Sequence, residues 1–298
     1  MVSILHVNNI AGAAGLYSDE QKRLGLKSDV LVFSKNKFNF SHTYLIEEKK
    51  LKKVYNFWKI AKDYDILHFH YKSIFKKGSD VLIWKMLKKK IIMHHHGSDI
   101  RDIGEMPVYK KHCNNIFVTT PDILKWSKDS IWIPVPIFID DFKMKNENND
   151  SDIINIVHAP NNREVKGTKY VIDAVEKIKR KGYNINFKLV ENTSHEVVMG
   201  LLKNADIVID QLLIGWYGMV SVEGMAFGKP VCVYINEELQ SYLPNNPLVN
   251  TDKDKLFDAL IGLIEDKELR KDYGKKGRNF AKDFHDVRRV TKKINSFY

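Results

Sequence analysis

Short apolar runs alternate with helix-suited stretches along the whole chain, and this alternation restricts the fold more than any other feature. Residues 2–7 (VSILHV) lead into a small-residue loop, 8–15 (NNIAGAAG), and then a polar segment, 16–24, suited to a helix. Runs at 28–33 (SDVLVF), 65–70 (DILHFH), 91–95 (IIMHH) and 115–119 (NIFVT) repeat the theme, with helical stretches between several of them. Strands that alternate with helices lie parallel, because each connection must cross back over a face of the sheet, and ligands then collect at the carboxyl ends of the strands.

Residues 140–152 are almost entirely polar or charged and carry no apolar period, which marks a domain boundary. A second α/β series begins at 153–158 (IINIVH). It continues through a helix at 168–181, strands at 184–190 and 205–210 around a helix at 196–203, a strand at 231–235 and a mostly helical tail from 255. A chain of 298 residues exceeds what one core usually supports, so two domains of roughly 130 to 150 residues each are expected. The expected division is 1–140, a linker at 141–152, and 153–285, with a last helix at 286–298.

Composition narrows the class. Apolar residues make up 44% and charged residues 29%, no run of eighteen apolar residues occurs, and no secretory leader opens the chain, so a cytoplasmic protein is expected. Cys113 and Cys232 fall in different halves, which suits a reducing compartment and excludes a disulfide framework. The net charge of +11 is uneven, with +9 in residues 1–140 and +2 in the remainder. Such a surface favours polyanions: anionic lipid headgroups, nucleic acid or phosphorylated substrates.

The chemistry concentrates at 205–234 (ADIVIDQLLIGWYGMVSVEGMAFGKPVCVY). A buried strand ends at Asp210, Gly215 and Gly218 allow a tight turn, and a helix carrying Glu223 stops at Gly228-Lys229-Pro230. The amides and positive dipole end of that helix suit a diphosphate, and Glu223, one turn in, can accept hydrogen bonds from sugar hydroxyls. This stretch resembles the donor-binding segment of glycosyltransferase family 4, whose signature is a Glu, seven residues, a second Glu and a small-residue helix ending in Gly-x-Pro. Glu223 matches the second Glu, which in that family contacts the ribose of a sugar nucleotide. The first Glu falls at Gly215, so Asp210 and Tyr217 are the candidates to replace its contact with the donor sugar.

Further matches extend the resemblance over most of the chain. In 158–170 (HAPNNREVKGTKY), Lys166 before Gly167 fits the family lysine that neutralises the diphosphate leaving group. Arg163 is a second cation on that loop, while Asn161 holds the family's usual arginine position. His96 before Gly97 fits the family histidine that reaches the donor from the first domain, the loop with Gly12 and Gly15 resembles the acceptor loop, and Glu191 and Asn192 lie where the base is read. The resemblance implies an α/β fold of two Rossmann-like domains facing across a cleft (GT-B), the C-terminal helix crossing back to the first. It implies transfer of a sugar from a nucleoside diphosphate sugar to an acceptor hydroxyl of a glycan or lipid-linked glycan. Retention, no protein nucleophile and no cofactor beyond the co-substrate follow from it, with His96 and Lys166 as the catalytic pair.

Competing readings of the same residues are specific. His68-Phe69-His70 and His94-His95-His96 invite a metal, yet neither has a third ligand at a suitable spacing, so metal-free catalysis is expected. Asp150-Ser151-Asp152 has the D-x-D form of metal-dependent transferases but sits in the polar linker. Gly12 and Gly15 lack the full dinucleotide spacing. The lysine-rich runs 49–62 and 72–90 carry Tyr55, Phe57, Trp58, Phe75 and Trp84, consistent with either an exposed helix or a membrane-surface helix. A basic polyanion-binding protein would explain the charge but not 215–230, so nucleic acid is not expected as a partner. A nucleotide-sugar epimerase of GT-B architecture would use the same phosphate site without an acceptor.

Overall fold

The computed structural model describes residues 2–35, 40–101, 103–144 and 152–298; Asp150 and Ser151 of the D-x-D lie outside these. The chain forms two compact units, Met1–Ile137 together with Asp286–Tyr298, and Phe138–His285. Part of the expected linker therefore packs in the second unit, where Phe142 is buried and its carbonyl accepts a hydrogen bond from Arg278.

The first unit is built on strands β1 (Ser3–Val7), β2 (Lys27–Val32), β3 (Tyr44–Leu45), β4 (Ile66–His70), β5 (Lys90–His95), β6 (Asn115–Val118) and β7 (Ile131–Trp132). All pairings are parallel, in the order β3-β2-β1-β4-β5-β6-β7, so the sheet reverses direction between β1 and β4. Helices α1 (Ala13–Arg23), α2 (Lys50–Ala61), α3 (Asp80–Met86) and α4 (Pro107–His112) make the crossovers. Because both faces are covered, β1 and β4 are buried at every position, with His6, His68 and His70 among their apolar side chains. Leu5, Val7, Leu67, Phe69 and Met93 pack with Phe57 and Trp84 on one face. Ile4, Ile66 and Ile92 pack on the other against Tyr17 of α1 and Val290 and Ile294 of the C-terminal helix (Val287–Asn295). Gln21 Nε2 donates to Asn295 Oδ1 at 2.9 Å, which fixes that helix to α1.

The second unit repeats the plan with β8 (Ile154–His158), β9 (Ile185–Leu189), β10 (Ile207–Ile209), β11 (Val231–Val233) and β12 (Val249–Asn250), all parallel in the order β12-β11-β10-β8-β9. Its helices are α5 (Arg163–Lys166), α6 (Thr168–Arg180), α7 (His195–Asn204), α8 (Met219–Ala226), α9 (Leu256–Glu265) and α10 (Lys267–Phe280). Apolar spacing explains α6: Val171, Ala174, Val175 and Ile178 fall on one stripe and are the side chains it buries. The sheet reverses between β8 and β10, and the segments leaving those two strands carry Lys166 and 210–218. A doubly wound sheet places its ligand at such a reversal.

Helix α10 crosses the end of α8 closely. A Cβ at Gly274 would run into the carbonyl oxygen of Gly228, the left-handed residue (φ 71°) that ends α8. Gly274→Ala is expected to destabilise the protein by about 1–3 kcal/mol through overpacking against backbone. Urea denaturation measures it, and an unchanged midpoint would show that the two segments separate at no cost.

Candidate functional site

The centre of the second unit's site is an ammonium held by a buried carboxylate. Lys166 ends α5 and Asp210 follows β10, and Lys166 Nζ donates to Asp210 Oδ1 at 2.8 Å. Asp210 Oδ2 also accepts the Gly218 amide and the Ser221 hydroxyl, each at 2.7 Å. Burial works against the Asp210 charge, but Lys166, Ser221 and the Gly218 amide together hold its carboxyl below the usual range. Asp210 is thus the anchor of Lys166 and of the α8 N-terminus rather than a free sugar ligand. Gly218 fits closely into this packing: a Cβ there would lie 3.0 Å from Lys166 Nζ and 3.1 Å from Asp210 Oδ2, so those side chains would have to shift to admit one. Gly167, left-handed at φ 74°, ends α5 and lets α6 start at once.

The turn between Asp210 and α8 is organised by a residue that motif reasoning passes over. Gln211 is fully buried; its amide nitrogen donates to the Trp216 and Tyr234 carbonyls at 2.7 Å, and its oxygen accepts Leu213 and Ile214 amides at 2.9 and 2.6 Å. Gly215 takes φ 86°, and its carbonyl accepts the Asn236 amide at 2.9 Å. Tyr217 does not stand open to a sugar. It is buried, its hydroxyl pairs with His285 Nε2 at 2.9 Å, and its ring packs edge-on to Phe280.

Glu223, one turn into α8, is buried and bonds His195 Nε2 at 2.6 Å. His195 opens α7 and is half-exposed. Its imidazole pKa is raised by the hydrogen bond it donates to Glu223, against a smaller opposing effect of burial. A group whose folded pKa is raised stabilises below its unfolded value, near 6.5, and loses that contribution as pH rises through the folded value. Stability should therefore fall across that window in the wild type, and this component should vanish in Glu223→Gln; thermal melts from pH 5 to 8.5 test the difference. Arg163 is engaged by Glu191 in a two-point bond, at 2.8 and 2.5 Å. Glu191 therefore orients a cation, while Asn192 beside it holds a left-handed turn at φ 52°.

In the first unit, the His96–Gly97 turn rests on Asp99, whose carboxylate accepts both amides at 2.9 and 2.8 Å and pairs with His95 at 2.7 Å. Both His96 ring nitrogens point inward, Nε2 to His70 Nδ1 and Nδ1 to Thr119 Oγ1, each at 3.1 Å. Burial pushes the His96 imidazole down to about 4, so it is neutral near pH 7. Gly12 is left-handed at φ 76° and caps α1, but Gly15 is inside that helix and not in a loop. Ala13 and Ala14 are buried under the sheet, which draws the helix start three residues ahead of the expected position. The histidine pairs also differ from expectation. Strand pairing supplies the third imidazole that linear spacing lacked, in His6, His68 and His70, and again in His70, His94 and His96.

Two doubly wound parallel sheets, the second with a lysine and a helix N-terminus at its reversal, give the two-domain α/β architecture of the GT-B type. Within it, residues 181–280 match the family described as Glycosyl transferases group 1. No curated protein sequence matches the chain. Among solved structures, a sucrose-phosphate synthase from Thermosynechococcus elongatus is similar at 13% identity over 100% of this chain and 98% of that one, TM-score 0.70. The lipopolysaccharide outer core galactosyltransferase WaaB is similar at 14% identity, 100% and 99% coverage, TM-score 0.65. A putative UDP-N-acetylglucosamine 2-epimerase from Listeria monocytogenes is similar at 12% identity, 99% and 95% coverage, TM-score 0.64. At these identities the structures establish the fold, and the group 1 match over residues 181–280 supports a transferase of class EC 2.4. Asp210, Gly215, Gly218 and Glu223 lie inside the matched segment, Arg163, Lys166 and His96 outside it.

Proposed function

We propose that the protein transfers a sugar from a nucleoside diphosphate sugar to an acceptor hydroxyl, with retention at the anomeric carbon and without a metal at the transfer step. The observation that carries this reading is the Lys166 ammonium held by Asp210 at the N-terminus of α8. A diphosphate leaving group gains negative charge as the glycosidic bond breaks, and a preorganised cation beside helix amides stabilises that charge without rearranging. Glu223 supplies the carboxylate for the ribose hydroxyls, oriented by His195. Arg163, oriented by Glu191, is the second cation. Asp210 is engaged by Lys166 and Glu223 by His195, in keeping with a mechanism in which a donor phosphate oxygen takes the acceptor proton and no protein carboxylate attacks.

The acceptor in this reading is a glycan or lipid-linked glycan of the cell surface, approached from an anionic membrane. Helix α2 leaves Leu51 85%, Tyr55 62% and Trp58 43% exposed, at i, i+4 and i+7, in a unit rich in lysine. Helix α3 leaves Met86 83% exposed. Among the described residues no helix is long and apolar enough to cross a membrane. Each lysine near an anionic leaflet contributes on the order of 1 kcal/mol. Binding to vesicles with 30% anionic lipid is expected to weaken with salt and to fall several-fold in the double variant Leu51→Glu, Trp58→Glu; binding indifferent to both changes would remove the membrane part of the proposal.

The epimerase-like structure supports one second reading, in which the same site turns over a sugar nucleotide alone. Incubation with a donor panel and no acceptor decides between them. Transferase chemistry predicts no epimer and only slow hydrolysis, whereas a stoichiometric new epimer would replace it.

A further inference from the structure

Strand register places several imidazoles on one buried face of the first unit's sheet. His6 of β1 lies opposite His68 of β4, and His70 lies opposite His94 of β5. His6, His68, His70 and His94 have no solvent exposure. The ligand nitrogens of His6, His68 and His70 lie within 4.8 Å of one another.

The ring nitrogens of His6, His70 and His96 form one chain of contacts, and His68 Nε2 is left over. His6 Nε2 is 2.9 Å from Gln21 Oε1, which also accepts the Ser28 hydroxyl at 2.7 Å, so Nε2 carries the His6 proton and Nδ1 is bare. At the other end, the Thr119 hydroxyl lies nearer the His95 carbonyl, at 2.8 Å, than His96 Nδ1, at 3.1 Å. With the Thr119 proton on that carbonyl, His70 Nε2 is bare; with that proton on His96 Nδ1 instead, one proton runs through each contact from Thr119 by way of His96 and His70 to His6. His70 Nε2 faces His6 Nδ1 at 3.1 Å, so these two nitrogens share at most one proton. His68 is anchored at Nδ1 by the Tyr298 hydroxyl at 2.5 Å, and its Nε2 has no hydrogen-bond partner. Buried polar atoms are rarely left in this state without an ion or water to satisfy them.

We propose that His6, His68 and His70 form a binding site for one zinc-class divalent cation, held by His6 Nδ1, His68 Nε2 and His70 Nε2. Tetrahedral coordination at about 2.0–2.1 Å spaces ligand nitrogens about 3.3 Å apart, close to the present His6–His70 separation. Gln21, Tyr298 and His96 occupy the other ring nitrogens, as outer partners that set the tautomer of metal-bound imidazoles do. Burial keeps the three rings neutral, with His6 pushed down to about 4, so binding displaces no proton near pH 7. All ligands belong to the first unit, where the ion ties β1 to β4 and acts on stability.

The test uses the full chain, stripped with chelator and titrated with Zn²⁺ or Co²⁺ alone. One equivalent of Co²⁺ should bind with the intense visible bands of tetrahedral nitrogen coordination, and saturating Zn²⁺ should raise the melting temperature by about 5 °C or more. Both effects should disappear in His6→Gln and in His68→Gln, and persist in His94→Gln and in the double variant His42→Gln, His112→Gln outside the triad. Wild-type protein that gives neither band nor shift would overturn the proposal. So would bands that survive His6→Gln but vanish in His94→Gln, which would move the ion to the triad of His70, His94 and His96.

Discussion

Lys166→Met is expected to lower kcat by on the order of 10²–10³-fold, with donor binding weakened far less, because removing one preorganised stabiliser of developing charge has that effect. Lys166 Nζ is fixed by Asp210 at 2.8 Å and only 13% of its side chain is exposed, so little reorganisation remains to be done when the diphosphate departs. Lys166→Arg should recover part of the rate, since it keeps the charge while changing its shape. Steady-state kinetics with a saturating donor, below the variant's melting temperature, checks this. A loss under tenfold would remove Lys166 from the transfer step.

The second large effect is on stability. Asp210→Ala leaves a mostly buried ammonium without its partner, together with the Gly218 amide and the Ser221 hydroxyl, and is expected to cost about 3–5 kcal/mol. Asp210→Asn should cost less, since its oxygen can still accept the Gly218 amide. The wild-type carboxyl sits below its usual range, so its contribution is complete above the unfolded carboxylate pKa and is lost as pH falls through the folded value. Urea denaturation at pH 7 and pH 3 should therefore show the Asp210→Asn deficit shrinking in acid.

What the amino-acid sequence discloses follows from how each element is buried. Strands such as β1 and β4, covered on both faces, appear as short runs of apolar residues with histidines among them and are read easily. The two-residue edge strands β3 and β7 leave no such trace. Helix α1 begins at Ala13 because small residues there fit beneath the sheet, although their composition reads as a loop. The site divides in the same way. Lys166 and Glu223 are legible because a loop cation before glycine and a carboxylate near a helix start have local signatures. The partners they acquire are 44 and 28 residues away, and only tertiary packing brings Asp210 to Lys166 and His195 to Glu223. Tyr217 shows the converse, a polar aromatic in a binding motif whose hydroxyl is spent on His285 in the core. The histidine triad depends on the register of parallel strands joined by crossovers, which spacing along one strand does not encode.

The most direct measurement is calorimetric titration of the full chain with UDP, GDP and ADP, alongside Glu223→Ala and a melt of each protein. The account predicts that one of the three nucleotides binds the wild type with 1:1 stoichiometry and raises its melting temperature, and that Glu223→Ala retains its fold but loses the binding. Wild-type protein that binds none of them, or a Glu223→Ala variant that binds as tightly as the wild type, would contradict it.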